Sequence, residues 1–316
     1  MNLSRKEKYF ALLILSLLFI ARASAGEFKV VVNNDGLLVL DGQDSVIFYQ
    51  KAPKSLDGRY ERANYLHPLW GLDGTVLTED FPPDHRHHRG IFWAWHQVYV
   101  GDKRMGDGWS TDEFQWNVEE VKVLRLDSLC ILRAHVYWQS PLLLDERGQP
   151  QPFVEEITDI AVSPVLDGKM RFIDFTIRLR ALKERVRIGG SENKKGYGGF
   201  SVRLRLPKDL TFISEYKEIT PITNQIQAGP WMDFSGTFSD EHKSGVAIFC
   251  HPSVPGFPQP WILRRKGSMQ NAVYPGTEPV LLPQEKPLVF RYRLVLHKGD
   301  ASSLDLNRLY NEYSEE

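Results

Sequence analysis

Cysteine is almost missing from this chain. Two among 316 residues, Cys130 and Cys250, exclude a disulfide-built scaffold. Each sits in an apolar, strand-like run (SLCILRAHV and GVAIFCHP), which suits a buried thiol and, in an oxidising compartment, a Cys130–Cys250 bridge equally well. An excess of one charge is missing too. Thirty-nine Lys and Arg against 40 Asp and Glu give a formal charge of −1, which is no footprint for nucleic acid or an anionic membrane. After the first 20 residues no apolar run approaches 18, so no membrane-spanning helix is expected there. There is no internal repeat or low-complexity tract, and no G-x-x-x-x-G-K-[ST] phosphate loop.

What is present begins with an export signal over residues 1–25. Arg5, Lys6 and Lys8 form a basic start, FALLILSLLFI (10–20) is an apolar run of 11, and Ala23-Ser24-Ala25 supplies the small-residue cleavage pattern. These residues hold four bases and one acid (Glu7), so the remainder carries 35 bases and 39 acids, a formal charge of −4. The expectation is a periplasmic or secreted protein, without membrane contact after cleavage, that forms a single β-sandwich domain over 26–316.

Short β-rich runs recur every 10–15 residues, separated by Gly, Pro, Asn and Asp. They include 28–33, 37–40, 45–50, 118–126, 130–138, 171–182, 198–206, 245–252 and 288–297. In 171–181, Ile173, Phe175, Ile177 and Leu179 alternate with Asp174, Thr176, Arg178 and Arg180, the pattern of a half-buried antiparallel strand. The fold class expected is all-β, a large antiparallel sandwich of supersandwich or jelly-roll type. A short C-terminal helix is expected to be capped by Ser302 or Ser303, with Leu304, Leu306, Leu309, Tyr310 and Tyr313 as its stripe and a frayed end at 314–316.

Chemistry concentrates in YLHPLWGLDGTVLTEDFPPDHRHHRGIFWAW (65–95). Four of nine histidines (His67, His85, His87, His88) fall within 22 residues, with Glu79, Asp80, Asp84 and Arg86 among them and Arg89 directly after. Imidazole, carboxylate and guanidinium beside aromatic faces are expensive to desolvate, so a site is expected here rather than a core. Proline and glycine exclude a helix. Pro82-Pro83 are expected to hold Phe81 extended, and an extended 84–88 would place His85 and His87 on one face and Asp84 and His88 on the other. A buried strand should follow, with Phe92, Ala94 and His96 opposing Trp93, Trp95 and Gln97.

Weaker constellations lie downstream. Lys195 sits in a glycine-rich loop (IGGSENKKGYGGF), Asp233 in GPWMDFSG, and His251 and Trp261 in FCHPSVPGFPQPW. Polar groups at strand ends with several tryptophans suit carbohydrate, whose CH faces stack on indoles while its hydroxyls bond to His, Arg, Asp and Glu. A small-molecule or oligosaccharide ligand is expected.

The 65–95 stretch, with GYGGFSVRL, WMDFSG, GVAIFCHPSVPGFPQPW and LVFRYRLVLHKGD, resembles a large bacterial family of secreted proteins labelled methane-oxygenase-subunit-like (PmoA-like). A methane-oxygenase membrane subunit needs several apolar spans, which this sequence lacks after its signal, so the label does not describe the chemistry. The resemblance implies an all-β, sugar-active type of fold, with a galactose-mutarotase-like sandwich included, and an association with carbohydrate degradation. Relatives carry an acid-Lys-acid-Gly run before the GGF glycines. Here ENKKGYGGF has Lys195 at the second acid, so that loop is not expected to supply a carboxylate base.

The residues themselves point to a carbohydrate-active enzyme of hydrolase, lyase or epimerase type, with a non-catalytic carbohydrate-binding protein as the alternative. General acid/base work is expected of His87 or His88, with Asp84 in a supporting or acidic role and Arg89 making substrate or oxyanion contacts. His67, Trp93, Lys195, Asp233, His251 and Trp261 are expected as substrate contacts. No cofactor is assigned, but His85 and His87, with His67 or His251 and an acid, could hold a divalent ion. Paired carboxylates for hydrolysis would come from Glu79, Asp80, Glu155, Glu156, Glu192 or Asp233.

Overall fold

The computed structural model describes residues 27–215, 217–239 and 242–316; the export signal expected over 1–25 lies outside them. Among the described residues the architecture is antiparallel β throughout, with one short α-helix at the C-terminus. Eight strands form one sheet in the order Phe28–Val32, Gly36–Asp41, Asp44–Gln50, Tyr65–Leu69, Ile91–Trp95, Gly198–Val202, Gln270–Val273 and Trp261–Ile262. Nine form the second, in the order Gln115–Leu126, Cys130–Gln139, Val154–Val162, Met170–Ala181, Leu288–Lys298, Lys243–Cys250, Trp231–Thr237, Thr211–Ser214 and Lys217–Glu218. A smaller sheet of four joins Val280–Leu281, Val186–Gly189, Gln97–Val100 and Lys103–Arg104.

The two large sheets pack face to face through an aromatic layer. Trp93 meets Phe175 at 6.1 Å between ring centroids, Phe200 meets Tyr292 at 4.4 Å, and Trp95 meets Trp138 at 5.5 Å. Burying each such ring stabilises the fold by on the order of 2–3 kcal/mol, which is why sequence period and burial agree so closely here. In Met170–Ala181 the predicted inward set Ile173, Phe175, Ile177 and Leu179 is buried, while Asp174, Thr176, Arg178 and Arg180 lie on the half-exposed face.

Val154–Val162 is a central strand that the apolar pattern does not reveal. Its core face reads Val154, Glu156, Thr158, Ile160, Val162, so two polar residues interrupt the alternation. Glu156 is fully buried, and four donors satisfy it: Asn64 Nδ2, Trp93 Nε1 and Thr158 Oγ1 at 2.8 Å, and Trp138 Nε1 at 2.9 Å. A buried carboxyl so enclosed is structural.

The C-terminal helix spans Leu306–Ser314, and its cap is Asp305, whose side chain accepts the Arg308 N–H at 3.0 Å. Ser302 and Ser303 belong instead to a preceding 3₁₀ turn, Ala301–Ser303, capped by Asp300. Leu306, Leu309, Tyr310 and Tyr313 are the buried stripe; Leu304 precedes it. The expected frayed end is tied down, since the Glu316 carboxylate meets Arg293 at 2.9 Å. Cys130 and Cys250 are both buried free thiols, and burial raises the Cys130 pKa to about 11.

Candidate active site

The strand Ile91–Trp95 lies near the middle of the eight-stranded sheet and decides which chemistry faces which way. Trp93 and Trp95 point into the sandwich, so Phe92 and His96 emerge on the outer face. There the loop after Lys103–Arg104 folds over the sheet and packs Trp109 against both Phe92 (5.2 Å) and His96 (5.3 Å, nearly parallel rings). The same loop delivers Asp107. Its Oδ2 lies 2.8 Å from His96 Nδ1, and its Oδ1 accepts the Trp109 and Ser110 N–H groups at 2.8 and 2.9 Å. Burial raises the Asp107 pKa, but the bond and charge of His96 and the Ser110 contacts outweigh it, so the carboxyl stays below its ordinary range.

Arg62 anchors this loop from behind. Buried between Phe92 (4.8 Å) and Trp116 (4.2 Å), its Nη2 donates to Gly108 O at 2.6 Å and Trp109 O at 3.1 Å. Burial lowers its pKa to about 9, with Arg89 adding to the shift.

The DHRHHR segment closes the other side of the same cleft. It is not extended. Phe81 has φ 50° in place of the expected extended geometry, His85 N–H bonds Pro82 O at 3.1 Å, and His88 N–H bonds His85 O at 2.9 Å. These turns overturn the two-face assignment, because period-2 alternation requires a strand. His85 and His88 stack instead, centroids 4.6 Å apart and planes 3° from parallel, with His87 edge-on to both. Asp84, His85, His87 and His88 thus share one cleft of about 370 Å³ with His96, and Lys195 lines it too. Gly90 ends the segment where a Cβ would sit 2.1 Å from Leu66 O, so no other residue lets the chain enter the sheet so closely.

Electrostatics divide these groups. Asp84 Oδ1 receives Arg203 at 2.6 Å, and Oδ2 receives Arg203 at 3.0 Å and the Ser268 N–H at 2.7 Å, with His85 Nδ1 at 2.9 Å from the same oxygen. Partial burial raises its pKa, but these bonds hold it well below the carboxylate range. His87 goes the other way. Burial, then the charges of Arg62, His85 and His96, lowers it to about 4. His88 is pushed down further by burial and by His87 and His85, and its buried Nδ1 has no partner among the described residues. Both are neutral imidazoles at pH 7.

Several expected site residues lie elsewhere. Arg89 is buried against Asp80 (3.1 Å), the Lys54 carbonyl (2.5 Å) and the Phe81 ring (3.3 Å), so it holds the loop together. His67 bonds Thr78 Oγ1 at 3.0 Å, and burial lowers its pKa to about 4. Trp93 donates to Glu156 inside the sandwich. Trp261 is fully buried, its Nε1 donating to Gly229 O at 2.9 Å, so neither indole presents a face to a sugar. Asp233 is sealed in the second sheet with His297 at 2.8 Å. His251 bonds Ser253 and Arg291 beside Tyr313. Nor is the divalent-ion set at His85 and His87 assembled, since no three His, Cys, Asp or Glu side chains among the described residues are grouped to hold an ion.

The six carboxylates considered for hydrolysis do not pair across the cleft. Glu79 is bound to Arg203, Asp80 to Lys54 and Arg89, and Glu155 to Arg180 and His135. Glu156 and Asp233 are enclosed, and Glu192 faces Arg104 at 3.5 Å. The residues that sequence reasoning missed are His96, Trp109, Tyr197, Arg264 and Lys266, which line the cleft, and Asp107, which reaches it through His96. Alternation along Ile91–Trp95 already places His96 opposite Trp93 and Trp95; nothing local marks Asp107.

No curated protein matches the sequence. Among solved structures, a protein described as a "putative mutarotase (YeaD)" from Salmonella typhimurium is similar over 92% of this chain and 100% of its own, at 13% identity and a TM-score of 0.31, a likeness too slight to carry an argument. A family model does match, over residues 37–311, and it covers most of the chain. The chain therefore belongs to the family of unknown function DUF6807.

Proposed function

We propose that this protein is a carbohydrate-active enzyme whose cleft transfers protons at a bound sugar, with His96 as the base and Asp107 as the residue that orients it. The observation that carries this reading is the His96–Asp107 pair opening on the histidine cleft. With a carboxylate at 2.8 Å from Nδ1, the imidazole keeps its hydrogen on that nitrogen, and Nε2 holds the lone pair. Nε2 takes a proton from the sugar. The imidazolium so formed is stabilised by Asp107 and returns the proton to the oxygen whose C–O bond breaks, which is the ring oxygen in mutarotation or the departing oxygen in elimination. One residue thus serves as base and then acid, which suits lyase or mutarotase chemistry directly, whereas epimerisation needs the intermediate to turn its other face to His96.

Two-carboxylate hydrolysis is less well supported. It needs one carboxylic acid protonated near neutrality, and both acids in the cleft region, Asp84 and Asp107, are held below their ordinary range. His87 and His88 act as neutral hydrogen-bonding groups to hydroxyls, and Tyr197 offers a half-buried ring beside them. The export signal over 1–25 puts this activity in the periplasm or outside the cell as part of the same proposal, in keeping with the resemblance to secreted PmoA-like proteins.

The test is ¹H NMR in D₂O with a panel of neutral and acidic mono- and oligosaccharides, reading deuterium incorporation, anomeric exchange and new alkene signals. His96→Gln should lower turnover by about 10²–10⁴ while leaving affinity within a few-fold. Asp107→Asn should lose turnover alongside it. Full turnover in His96→Gln would overturn the assignment, and binding without any turnover in the native protein would leave a carbohydrate-binding protein.

A further inference from the structure

We propose that the ligand of this cleft is an oligosaccharide bearing an anionic substituent, which Lys195, Arg264 and Lys266 receive; the inference rests on the reading of the cleft as a sugar site. All three cations line the cleft beside the histidines, and none has a carboxylate partner among the described residues. The acids nearby are engaged with other partners. Asp84 and Glu79 share Arg203, Asp107 holds His96 and lies 3.9 Å from Arg104, and Glu192 faces the same Arg104. Three cations without a carboxylate partner among the described residues thus converge on one concavity. Their mutual repulsion costs stability unless something negative relieves it.

The geometry also says how the anion would be met. Arg264 is fixed, because its guanidinium donates to the carbonyls of Ile222, Leu263 and Thr223 at 2.8–3.0 Å and lies 5.5 Å from the Tyr197 ring. With both Nη groups engaged it offers a positive field and no free fork. Lys195 and Lys266 are point charges free to turn toward the ligand. These three residues also line a second cavity of about 360 Å³, floored by Ile222 and Thr223. The cations therefore stand between two cavities. A chain of at least two sugars fits this arrangement, with the anion at the cations and a neighbouring ring on either side.

Isothermal titration of the purified protein tests this with trigalacturonate, its fully methyl-esterified counterpart, and galactose 6-phosphate and 6-sulfate as separate arms. Trigalacturonate should bind about tenfold or more tighter than the neutral ester, and the gap should narrow between about 0.05 and 0.5 M salt. The Lys195→Met, Lys266→Met double variant should lose the preference for charge while still binding the ester. A phosphate or sulfate arm that exceeds the uronate would assign the anion to that group. Equal binding of acid and ester, no binding by any anionic probe, or an undiminished preference in the double variant would each overturn the inference. Charge-dependent binding without turnover would remove the catalytic reading and leave this one standing. Turnover of neutral sugars through His96 with no charge preference would do the reverse.

Discussion

His88 and His297 are both buried imidazoles, yet their surroundings drive them in opposite directions. His88 sits under two other histidines, and burial together with their charges keeps it neutral. His297 is enclosed between strands with Asp233 at 2.8 Å, Ser235 Oγ bonding the same carboxyl. Burial alone would lower its pKa, but the Asp233 charge and hydrogen bond outweigh it and raise it. The difference teaches that a histidine beside an acid in the sequence says little, since what matters is whether the fold supplies a counter-charge before it removes the water. The paired site is structural. The unpaired cluster is open on one side, where a ligand can supply the missing partners.

The comparison can be broken most severely at the paired site. His297→Ala leaves Asp233 buried without its cation, so urea unfolding should show a loss of about 3–5 kcal/mol, with sugar binding in the cleft unchanged in the folded protein. A loss under 1 kcal/mol would mean that the pair is not charged in the fold.

The second prediction concerns acid. His67 and His87 have pKa values of about 4 in the fold against about 6.5 unfolded, so between those values the unfolded chain binds more protons. Stability must then fall as pH drops from about 6.5 to 4, by on the order of 2–3 kcal/mol for each fully shifted imidazole. His297 has the opposite sign. Its contribution is complete below about pH 6.5 and is lost as pH rises through its raised pKa. Urea midpoints from pH 4 to 8 should therefore show His87→Asn flattening the acid limb and His297→Gln flattening only the alkaline one. The same limb flattened by both variants would contradict the contrast.

The smallest effect is expected at His85, whose ring is 42% exposed and bonds an Asp84 already held by Arg203 and Ser268. His85→Ala should cost no more than about 0.5–1 kcal/mol in thermal or urea unfolding, because an exposed pair contributes little. A loss comparable to that of His297→Ala would show that the stack on His88 carries the loop.

Much of this was legible in the residues. Alternation in Met170–Ala181 and Leu288–Lys298 gave the antiparallel class and the inward faces directly, because a strand exposes its pattern every second residue. The weight of the 65–95 stretch was legible as well, and its Asp84, His85, His87 and His88 do share one cleft. Its local geometry was misjudged, since the turns at 82–88 cancel a period that only an extended chain obeys. Val154–Val162 was hidden for a different reason: Glu156 and Thr158 stand on its core face, and their partners come from strands far away in sequence.

The sequence by itself determined an all-β chain, its main strands, and a histidine-rich segment too polar to be core. Tertiary structure alone decided that Asp107 orients His96, that Arg203 neutralises Asp84 from 119 residues away, and that Trp93, Trp261 and Asp233 are sealed inside. The reason is physical. Periodicity records which side of a strand is buried, and that is local; charge compensation depends on which distant side chain arrives as water leaves, and only the packed sheets fix that.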